Sequence, residues 1–370
     1  MASGSAPDVV IVGGGPAGSA AGLTAAQRGL RPLIVERRAT PQPGPCAGWL
    51  GPAALERCAA YGVDVTKLGS PFTGLRLRSW DLKQCVEVHD AKLKGCVVSA
   101  EQLSAALLKR AEAGGVQVLR EASVQRLQLG ESATTLELSN GTTVTGQVVL
   151  IADGAASPTA ELAHLGAARR VAGGAACALA LWDRCETGFT PNKGLDLVLG
   201  AIQGLKVATI ACAGERVRVE LMTHDHSSPP KTQLQAFVEA AQANGLLPRQ
   251  EATITATAGC LAGSALEMES HVGKRCLLVG DAGGFVTSFS HEGIYPALRS
   301  GELAAETVAA ALRAPVLQDE LASFSTLWRS ELAGYLRMPN TDLGLLMPMV
   351  FNNPQMSRRV ARAFLLGQAF

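Results

Sequence analysis

The stretch Asp8 to Glu36, DVVIVGGGPAGSAAGLTAAQRGLRPLIVE, decides the fold of this chain. Val9 to Val12 is a short β-branched apolar run, which predicts a strand buried on both faces of a parallel sheet. The spacing G-x-G-x-x-G follows directly, at Gly13, Gly15 and Gly18. Ala20 to Gln27 is rich in small helix-forming residues, and Pro32 to Val35 reads as a second strand. The segment is therefore predicted to be a dinucleotide-binding βαβ unit.

Each part of this unit has a physical reason. The glycines permit a tight turn, a close approach of backbone to a pyrophosphate and close packing of helix on strand. The pyrophosphate would sit at the helix N-terminus, where free N–H groups and the helix dipole favour an anion. Glu36 ends the second strand, where a carboxylate accepts ribose hydroxyls and repels a 2′-phosphate. We therefore expect FAD or NAD, rather than NADP, at this site.

Composition limits the class of protein and the kinds of partner that the chain can have. The 370 residues are 47% hydrophobic and 18% charged, which excludes disorder and suits two closely joined domains. A net charge of +1 argues against nucleic acid as a partner. The nine cysteines include no C-x-x-C pair, which favours a reducing compartment and gives no metal-site pattern. With neither a signal peptide nor an apolar run of about 18 residues, we expect a cytoplasmic protein without a membrane span.

Two later strands repeat the pattern of an apolar run closing on Asp and Gly. They are 148–154, VVLIADG, and 276–284, CLLVGDAGG. Val116 to Leu119 is expected to return to the nucleotide sheet, and the turn Asn140-Gly141 predicts a small β-meander. The region 175–221 is mostly β-patterned, as in a separate antiparallel sheet. The nucleotide sheet is thus predicted to be assembled from discontinuous pieces.

The three glycine-containing motifs, in this order and spacing, resemble the FAD proteins of the group A flavin monooxygenase and geranylgeranyl reductase superfamily. This resemblance covers essentially the whole chain. It implies an α/β fold with a Rossmann-like, glutathione-reductase-type FAD-binding domain, interleaved with an antiparallel-sheet substrate domain and followed by C-terminal helices. The expected boundaries are 1–75, 97–165 and 260–315 for the FAD-binding domain, 76–96 and 166–259 for the substrate domain, and 316–370 for the C-terminal helical segment.

The resemblance also implies which residues hold FAD. The first motif would bind the ADP half, the Asp153 segment would lie beside the pyrophosphate, and Asp281 would bind near the ribityl chain. Backbone N–H groups at the start of the helix after Glu292 would face the N1–C2=O edge of the flavin. As an alternative, Asp153 and Asp281 only cap turns. The implied FAD contacts are Gly13, Gly15, Pro16, Ala17, Gly18, Glu36, Arg37, Val124, Asp153, Gly154, Gly280, Asp281, Gly293 and Ile294.

Three residues are candidates for the chemistry. Cys46 lies in Pro-Cys-Ala-Gly, which resembles a loop by the substrate end of the flavin in the reductase branch; a buried Cys packed beside a Trp is the alternative. His291 and Glu292 are a His–carboxylate pair suited to proton transfer, although neighbours on a turn often point apart. The H-x-H pair His224 and His226 is interpreted as a polar loop rather than a metal site.

Three departures from the family pattern qualify the resemblance. Ala100 and Ser104 replace the usual Arg and Asp of one helix, which removes a pyrophosphate contact. The aromatic segment that lines a prenyl pocket is missing. Ser288 and His291 stand where the third motif usually has Pro and Gly.

Because the prenyl-pocket segment is missing, the leading interpretation is FAD-dependent monooxygenation of a hydrophobic or aromatic substrate. Double-bond reduction of the geranylgeranyl-reductase type is a close alternative. Modification of a residue in a partner protein and a non-catalytic flavin-binding module are further alternatives, and halogenation is disfavoured because the halogenase motifs are missing. No second glycine motif is seen, so NAD(P)H at the same site, a partner reductase or the substrate itself must reduce the flavin.

Overall fold

The structure is a computed structural model, and it describes residues 6–40, 48–165, 175–186, 189, 193–200, 206–260, 264–338 and 343–368. The strands are β1 (Val9–Val12), β2 (Pro32–Val35), β3 (Trp49–Leu50), β4 (Ser70–Thr73), β5 (Leu75–Ser79), β6 (Cys85–Val88), β7 (Lys94–Val97), β8 (Gln117–Leu119), β9 (Val124–Leu129), β10 (Thr134–Leu138), β11 (Thr143–Gly146), β12 (Val148–Ile151), β13 (Ala175–Trp182), β14 (Gly194–Leu199), β15 (Lys206–Ala213), β16 (Arg216–Thr223), β17 (Thr253–Cys260), β18 (Val272–Gly273) and β19 (Cys276–Leu278). The helices are α1 (Pro16–Gln27), α2 (Pro52–Ala60), α3 (Ala100–Ala113), α4 (Pro158–Leu162), α5 (Pro230–Ala243), α6 (Ile294–Ala311), α7 (Leu317–Ala322), α8 (Phe324–Leu336), α9 (Leu343–Val350) and α10 (Pro354–Leu366).

A six-stranded sheet carries the nucleotide motifs. Its order is β18-β19-β12-β1-β2-β8, and all neighbours are parallel except β18 and β19. Strand β1 is central and pairs with β12 on one side and β2 on the other. The turns that follow these three strands therefore meet at one edge of the sheet, which is where α/β folds bind ligands.

Both faces of this sheet are covered, which explains why β1 is apolar throughout. Val9 and Ile11 pack on the side that carries α1, α3 and α6. Val10 and Val12 pack on the opposite side, against the antiparallel meander β11-β10-β9 and α4. The α/β fold with a glutathione-reductase-type nucleotide domain is confirmed.

The second large sheet has seven strands in the order β17-β13-β16-β15-β14-β5-β6. Its neighbouring strands are antiparallel except for the pair β14 and β5. One of its faces is covered by α5 through Leu234, Phe237 and Val238. Its other face packs against α10, with Val207 and Phe364 in the same cluster. Strands β5 and β6 reach this sheet from an earlier part of the chain, so the two sheets are interleaved in sequence. The division into domains at the expected boundaries remains a proposal.

A small antiparallel sheet and four helices complete the fold. The strands of the sheet β3-β7-β4 come from the segment between β2 and α3, and α7 to α10 follow the last nucleotide motif. Among the helices that the structure describes, none combines the length and apolar character needed to cross a membrane.

Candidate functional site

A cleft of about 550 Å³ opens at the edge of the six-stranded sheet where β1, β2 and β12 end. Seven of the expected cofactor residues line it, namely Gly13, Gly15, Glu36, Arg37, Val124, Asp153 and Gly154. Further lining residues, which the sequence motifs did not single out as contacts, are Val12, Gly14, Val35, Arg38, Ser104, Leu108, Ala122, Ser123, Ala152, Pro158 and Thr159. Arg38 lies two residues after Glu36, and its position next to the predicted contact Arg37 is the sequence signal that could have identified it.

The glycine turn is shaped by close approaches of backbone. Gly13 has φ +106°, and a Cβ there would lie 2.3 Å from the carbonyl oxygen of Ala152. A Cβ at Gly18 would lie 1.9 Å from the carbonyl oxygen of Gly13, so α1 packs directly against the turn. A Cβ at Gly15, by contrast, would meet nothing within 4 Å. The first two positions serve backbone packing, and the third leaves open space above the helix N-terminus.

Glu36 lies against this turn. Its Oε2 accepts the backbone N–H of Gly14 at 2.6 Å, and its Oε1 accepts the N–H of Arg38 at 3.0 Å. These two bonds fix the carboxylate at the cleft wall, the place where a ribose would be bound.

Asp153 has a structural task as well as a place in the cleft. Its Oδ1 accepts the Ser157 hydroxyl, and its Oδ2 accepts the backbone N–H of Thr159 at 3.1 Å. The carboxylate therefore caps the start of α4, which is the alternative that the Asp-Gly sequence left open. It lines the cleft at the same time.

The third motif turns back onto α1. Residues Gly280–Gly283 form a 3₁₀ turn, and a Cβ at Gly280 would lie 2.8 Å from the Cβ of Ala17. A Cβ at Gly293 would lie 3.4 Å from Oδ1 of Asp281, so the start of α6 adjoins this carboxylate. Burial raises the pKa of Asp281 to about 6.

Glu292 is a buried acid at the N-terminus of α6, with 4% of its surface exposed. Its Oε1 accepts the backbone N–H of Tyr295 at 2.7 Å, and its Oε2 accepts the hydroxyl of Tyr335 at 3.3 Å. Burial raises its pKa to about 7, although these donors favour the charged form. This carboxyl therefore keeps its proton to a higher pH than an exposed glutamate does.

His291 and Glu292 have different partners. His291 adopts φ +54°, a left-handed conformation that is uncommon for a residue with a side chain. Its ring centroid lies 6.4 Å from that of His224, and within the described residues its Nε2 has no hydrogen-bond partner. Burial, with a smaller effect of His224, lowers the pKa of His291 to about 3, so the ring is neutral at physiological pH. Cys46 lies outside the described residues.

The site fits the ADP half of a flavin dinucleotide. The cleft is large enough for a nucleotide, and Gly15 at the N-cap of α1 makes no side-chain capping bond. The first turn of α1 contains no acidic residue that would repel a diphosphate. Within the described ranges, no group of three or more His, Cys, Asp or Glu side chains is arranged to hold a metal ion.

Comparison with known proteins agrees with this geometry. A family model described as FAD binding domain matches residues 6–294. A digeranylgeranylglycerophospholipid reductase of Methanococcus aeolicus is 24% identical over 331 residues, which cover 88% of this chain and 82% of that protein. A geranylgeranyl bacteriochlorophyll reductase-like protein of Thermoplasma acidophilum superposes with a TM-score of 0.79 at 21% identity, over 98% of this chain and 97% of that one.

A further solved structure belongs to PqsL of Pseudomonas aeruginosa, described as a "probable FAD-dependent monooxygenase". It superposes with a TM-score of 0.66 at 19% identity, over 96% of this chain and 99% of that one. At this identity the likeness establishes the shared fold.

The fold and the cleft define an FAD-dependent oxidoreductase of the superfamily that contains flavin monooxygenases and geranylgeranyl reductases. The chain belongs to the FAD binding domain family, and FAD is its cofactor.

Proposed function

We propose that this oxidoreductase reduces carbon–carbon double bonds of a hydrophobic, isoprenoid-type molecule. The sequence interpretation placed monooxygenation first because the prenyl-pocket segment is missing. Similarity over most of the chain to a digeranylgeranylglycerophospholipid reductase supports the reverse order. The higher TM-score with the geranylgeranyl reductase-like fold, 0.79 against 0.66 for PqsL, points the same way.

The buried carboxyl of Glu292 is the observation that carries the proposal. Reducing a double bond adds a hydride to one carbon and a proton to the other; bound FAD, once reduced, supplies the hydride. The chain must supply the proton from a group that holds it near neutral pH. Glu292, with a pKa raised to about 7 at the start of α6, meets this requirement.

Tyr335 connects this carboxyl with a surface cleft. Its hydroxyl donates to Oε2 of Glu292, and its side chain lines a surface cleft of about 190 Å³ together with Ser290, Arg337 and Gln368. A proton taken from Glu292 can be replaced along this bond without passing through the nucleotide cleft. Tyr335 is thereby proposed as a positioning residue for reprotonation.

The other expected roles belong to the same proposal. The cleft-lining residues and the turns at Gly280 and Gly293 would hold FAD, Cys46 would lie at the substrate end, and the neutral ring of His291 would shape the space beside the flavin. NAD(P)H or a partner reductase would supply electrons. A lipid-like substrate, free or carried on a protein, is supported by the reductase relatives.

Monooxygenation remains the second candidate. The missing prenyl-pocket segment and the fold shared with PqsL favour it. The two activities differ in oxygen demand, because a hydroxylase needs oxygen and a double-bond reductase does not.

The test is a single turnover without oxygen. The FAD-loaded protein is photoreduced and mixed with geranylgeraniol, and the return of oxidised-flavin absorbance is followed. We expect reoxidation in wild type and about a hundredfold slower reoxidation in Glu292→Gln, the usual weight of a general acid. Glu56→Gln, at an exposed position on α2, is the control and should keep the wild-type rate. Absence of reoxidation in wild type would overturn the proposal.

A further inference from the structure

Arg218 on β16 is a buried cation whose hydrogen-bonding capacity is unused. The residue is 2% exposed. Among the residues that the structure describes, none provides a hydrogen-bond acceptor for Nε, Nη1 or Nη2. The facing countercharge is Oε2 of Glu101, at 3.8 Å, and this oxygen also lacks a hydrogen bond.

Such an arrangement is costly unless a ligand completes it. A guanidinium has five N–H donors, and burying it without acceptors sacrifices its hydration. Gly48 packs tightly against it, because a Cβ at Gly48 would lie only 2.8 Å from Nη1, so this position admits no side chain. The neighbouring position 100, at the start of α3, is an alanine and offers no polar group.

The guanidinium of Arg218 faces the first turn of α3, and this helix also lines the nucleotide cleft. Glu101 is in the first turn of α3, and Ser104, three residues further, lines the cleft. Residues three apart face the same side of a helix at a separation of about 5 Å. Arg218 thus lies beside the helix that forms one wall of the cleft, although it is not itself among the residues that line the cleft.

We propose that Arg218 binds an anionic oxygen pair, from a phosphate or a carboxylate, of a ligand that enters this cleft. A planar guanidinium matches two such oxygens in a bidentate bond. The oxygens come from the diphosphate of FAD or from an anionic head group of the substrate. The second source rests on the proposed function, whereas the first does not.

Arg216 provides a matched control on the same strand. It is two residues away, and 36% of its side chain is exposed. Its Nη2 lies 3.1 Å from Asp183, and its Nη1 lies 3.6 Å from Glu101. Replacing it removes the same charge from the same strand and disturbs the same glutamate, without emptying the buried position.

The first measurement is FAD affinity, by titrating the apoprotein and following the quenching of flavin fluorescence. The second is the change in flavin absorbance of the holoprotein on adding geranylgeranyl diphosphate or uncharged geranylgeraniol. We expect Arg218→Gln to weaken the binding of FAD, of geranylgeranyl diphosphate or of both by about tenfold or more, which is the effect of one charge-assisted hydrogen bond. The affinity of Arg218→Lys should lie between those of wild type and Arg218→Gln, and the affinity of Arg216→Gln should stay within about twofold of wild type.

The pattern of losses identifies the source. Weaker FAD binding assigns the anion to FAD, and weaker binding of the diphosphate alone assigns it to the substrate head group. If Arg218→Gln does not fold, the same titrations are made with Glu101→Gln. Removing the competing carboxylate should strengthen the binding of the same anion. Unchanged affinity for both anions in the folded variants would overturn the proposal. Since neither titration requires turnover, failure of the reductase assay would leave this result intact.

Discussion

At the scale of single residues, Glu292 links the site to pH. Its carboxyl is surrounded by Tyr295 and Tyr335, with Cys58 and Asp281 close enough to influence a charge. Burial raises the pKa of the Cys58 thiol to about 12, so this neighbour stays neutral. A carboxyl in such surroundings resists ionisation, which is what a proton donor at neutral pH requires.

Replacing this carboxyl by an amide should change the pH dependence of stability. The pKa of Glu292 is about 7 in the folded chain and 4.5 as its ordinary value. Between these pH values the folded state binds the proton and the unfolded state does not, so stability falls as pH rises. We expect the free energy of unfolding of wild type, relative to Glu292→Gln, to fall by about 1.4 kcal/mol per pH unit in this window.

Chemical unfolding at a series of pH values, with FAD in excess, measures this difference. Asp281 titrates in part of the same range and is present in both proteins, so only its coupling to Glu292 contributes to the difference. Parallel pH profiles for wild type and variant would show that Glu292 ionises normally.

The sequence identified His291 and Glu292 as candidate proton-transfer residues, but it could not predict which side chains they contact. The sequence placed His291 and Glu292 next to each other before a helix and suggested that the pair transfers protons to or from a substrate, although neighbours on a turn often point apart. The structure directs Glu292 to Tyr335, 43 residues away, and His291 to the neighbourhood of His224. These partners come from other elements, so local spacing carries no information about them.

At the scale of elements, α1 and α6 cross with almost no space between their backbones. A Cβ at Gly301 in α6 would lie 2.2 Å from the carbonyl oxygen of Ala17 in α1. Because Ala17 follows the phosphate-binding turn directly, the crossing positions that turn. The third motif is thus coupled to the first through helix packing as well as through the sheet.

Gly301→Ala should therefore destabilise the protein by about 3 kcal/mol, the upper range for forcing a group into a packed interior. It should also weaken FAD binding, because α1 must shift. Gly334→Ala in α8 is the matched control: its Cβ would meet nothing within 4 Å. That variant should gain up to about 1 kcal/mol from helix propensity. Thermal melts and FAD titrations of the two variants measure these effects. Equal melting temperatures and equal FAD affinities for the two variants would contradict the role of the crossing.

Element positions were the most predictable part of the fold. Val9–Val12 and Pro32–Val35 have the bounds expected from their apolar runs. The expected strand at 116–119 joins the nucleotide sheet as β8, and Asn140-Gly141 connects two strands of the meander. Each of these has a local cause, either a buried run or a turn residue. The 3₁₀ turn at Gly280–Gly283 has no such periodic signal.

At the scale of the whole molecule, α10 packs against the seven-stranded sheet, β3 and the segment that precedes α6. Phe364 is 1% exposed, and its ring stacks on Trp49 with centroids 5.1 Å apart. It also meets the ring of Phe289 edge to face at 5.9 Å, two residues before His291. The C-terminal helix is therefore part of the core.

Removing this ring should loosen both regions at once. We expect Phe364→Ala to lower the free energy of unfolding by about 3–5 kcal/mol, as for other buried aromatic truncations. Met349→Ala, at a side chain that is 42% exposed, should change it by less than about 0.5 kcal/mol. Urea unfolding of both variants provides the comparison. A loss in Phe364→Ala no larger than that in Met349→Ala would show that α10 is dispensable for the core.

The interleaving of the two sheets could be predicted only in outline. Discontinuous motifs showed that the nucleotide sheet is assembled from separated segments. The parallel pairing of β5 with β14, through Asp196 and Arg76, joins positions 120 residues apart and leaves no local trace. The burial of the Arg218 guanidinium likewise depends on contact between the separate segments that contain Gly48, Glu101 and Arg218, so no sequence motif could predict it.

The most direct test of the reductase proposal is the identity of the product. The photoreduced holoprotein is incubated with geranylgeraniol, once without oxygen and once with ¹⁸O₂, and the products are examined by mass spectrometry. We expect a product that has gained two hydrogen atoms per reduced double bond and carries no label under either condition, with a lower yield in the presence of oxygen because oxygen also reoxidises the reduced flavin. A product that carries ¹⁸O and forms only in the presence of oxygen would contradict double-bond reduction and establish monooxygenation.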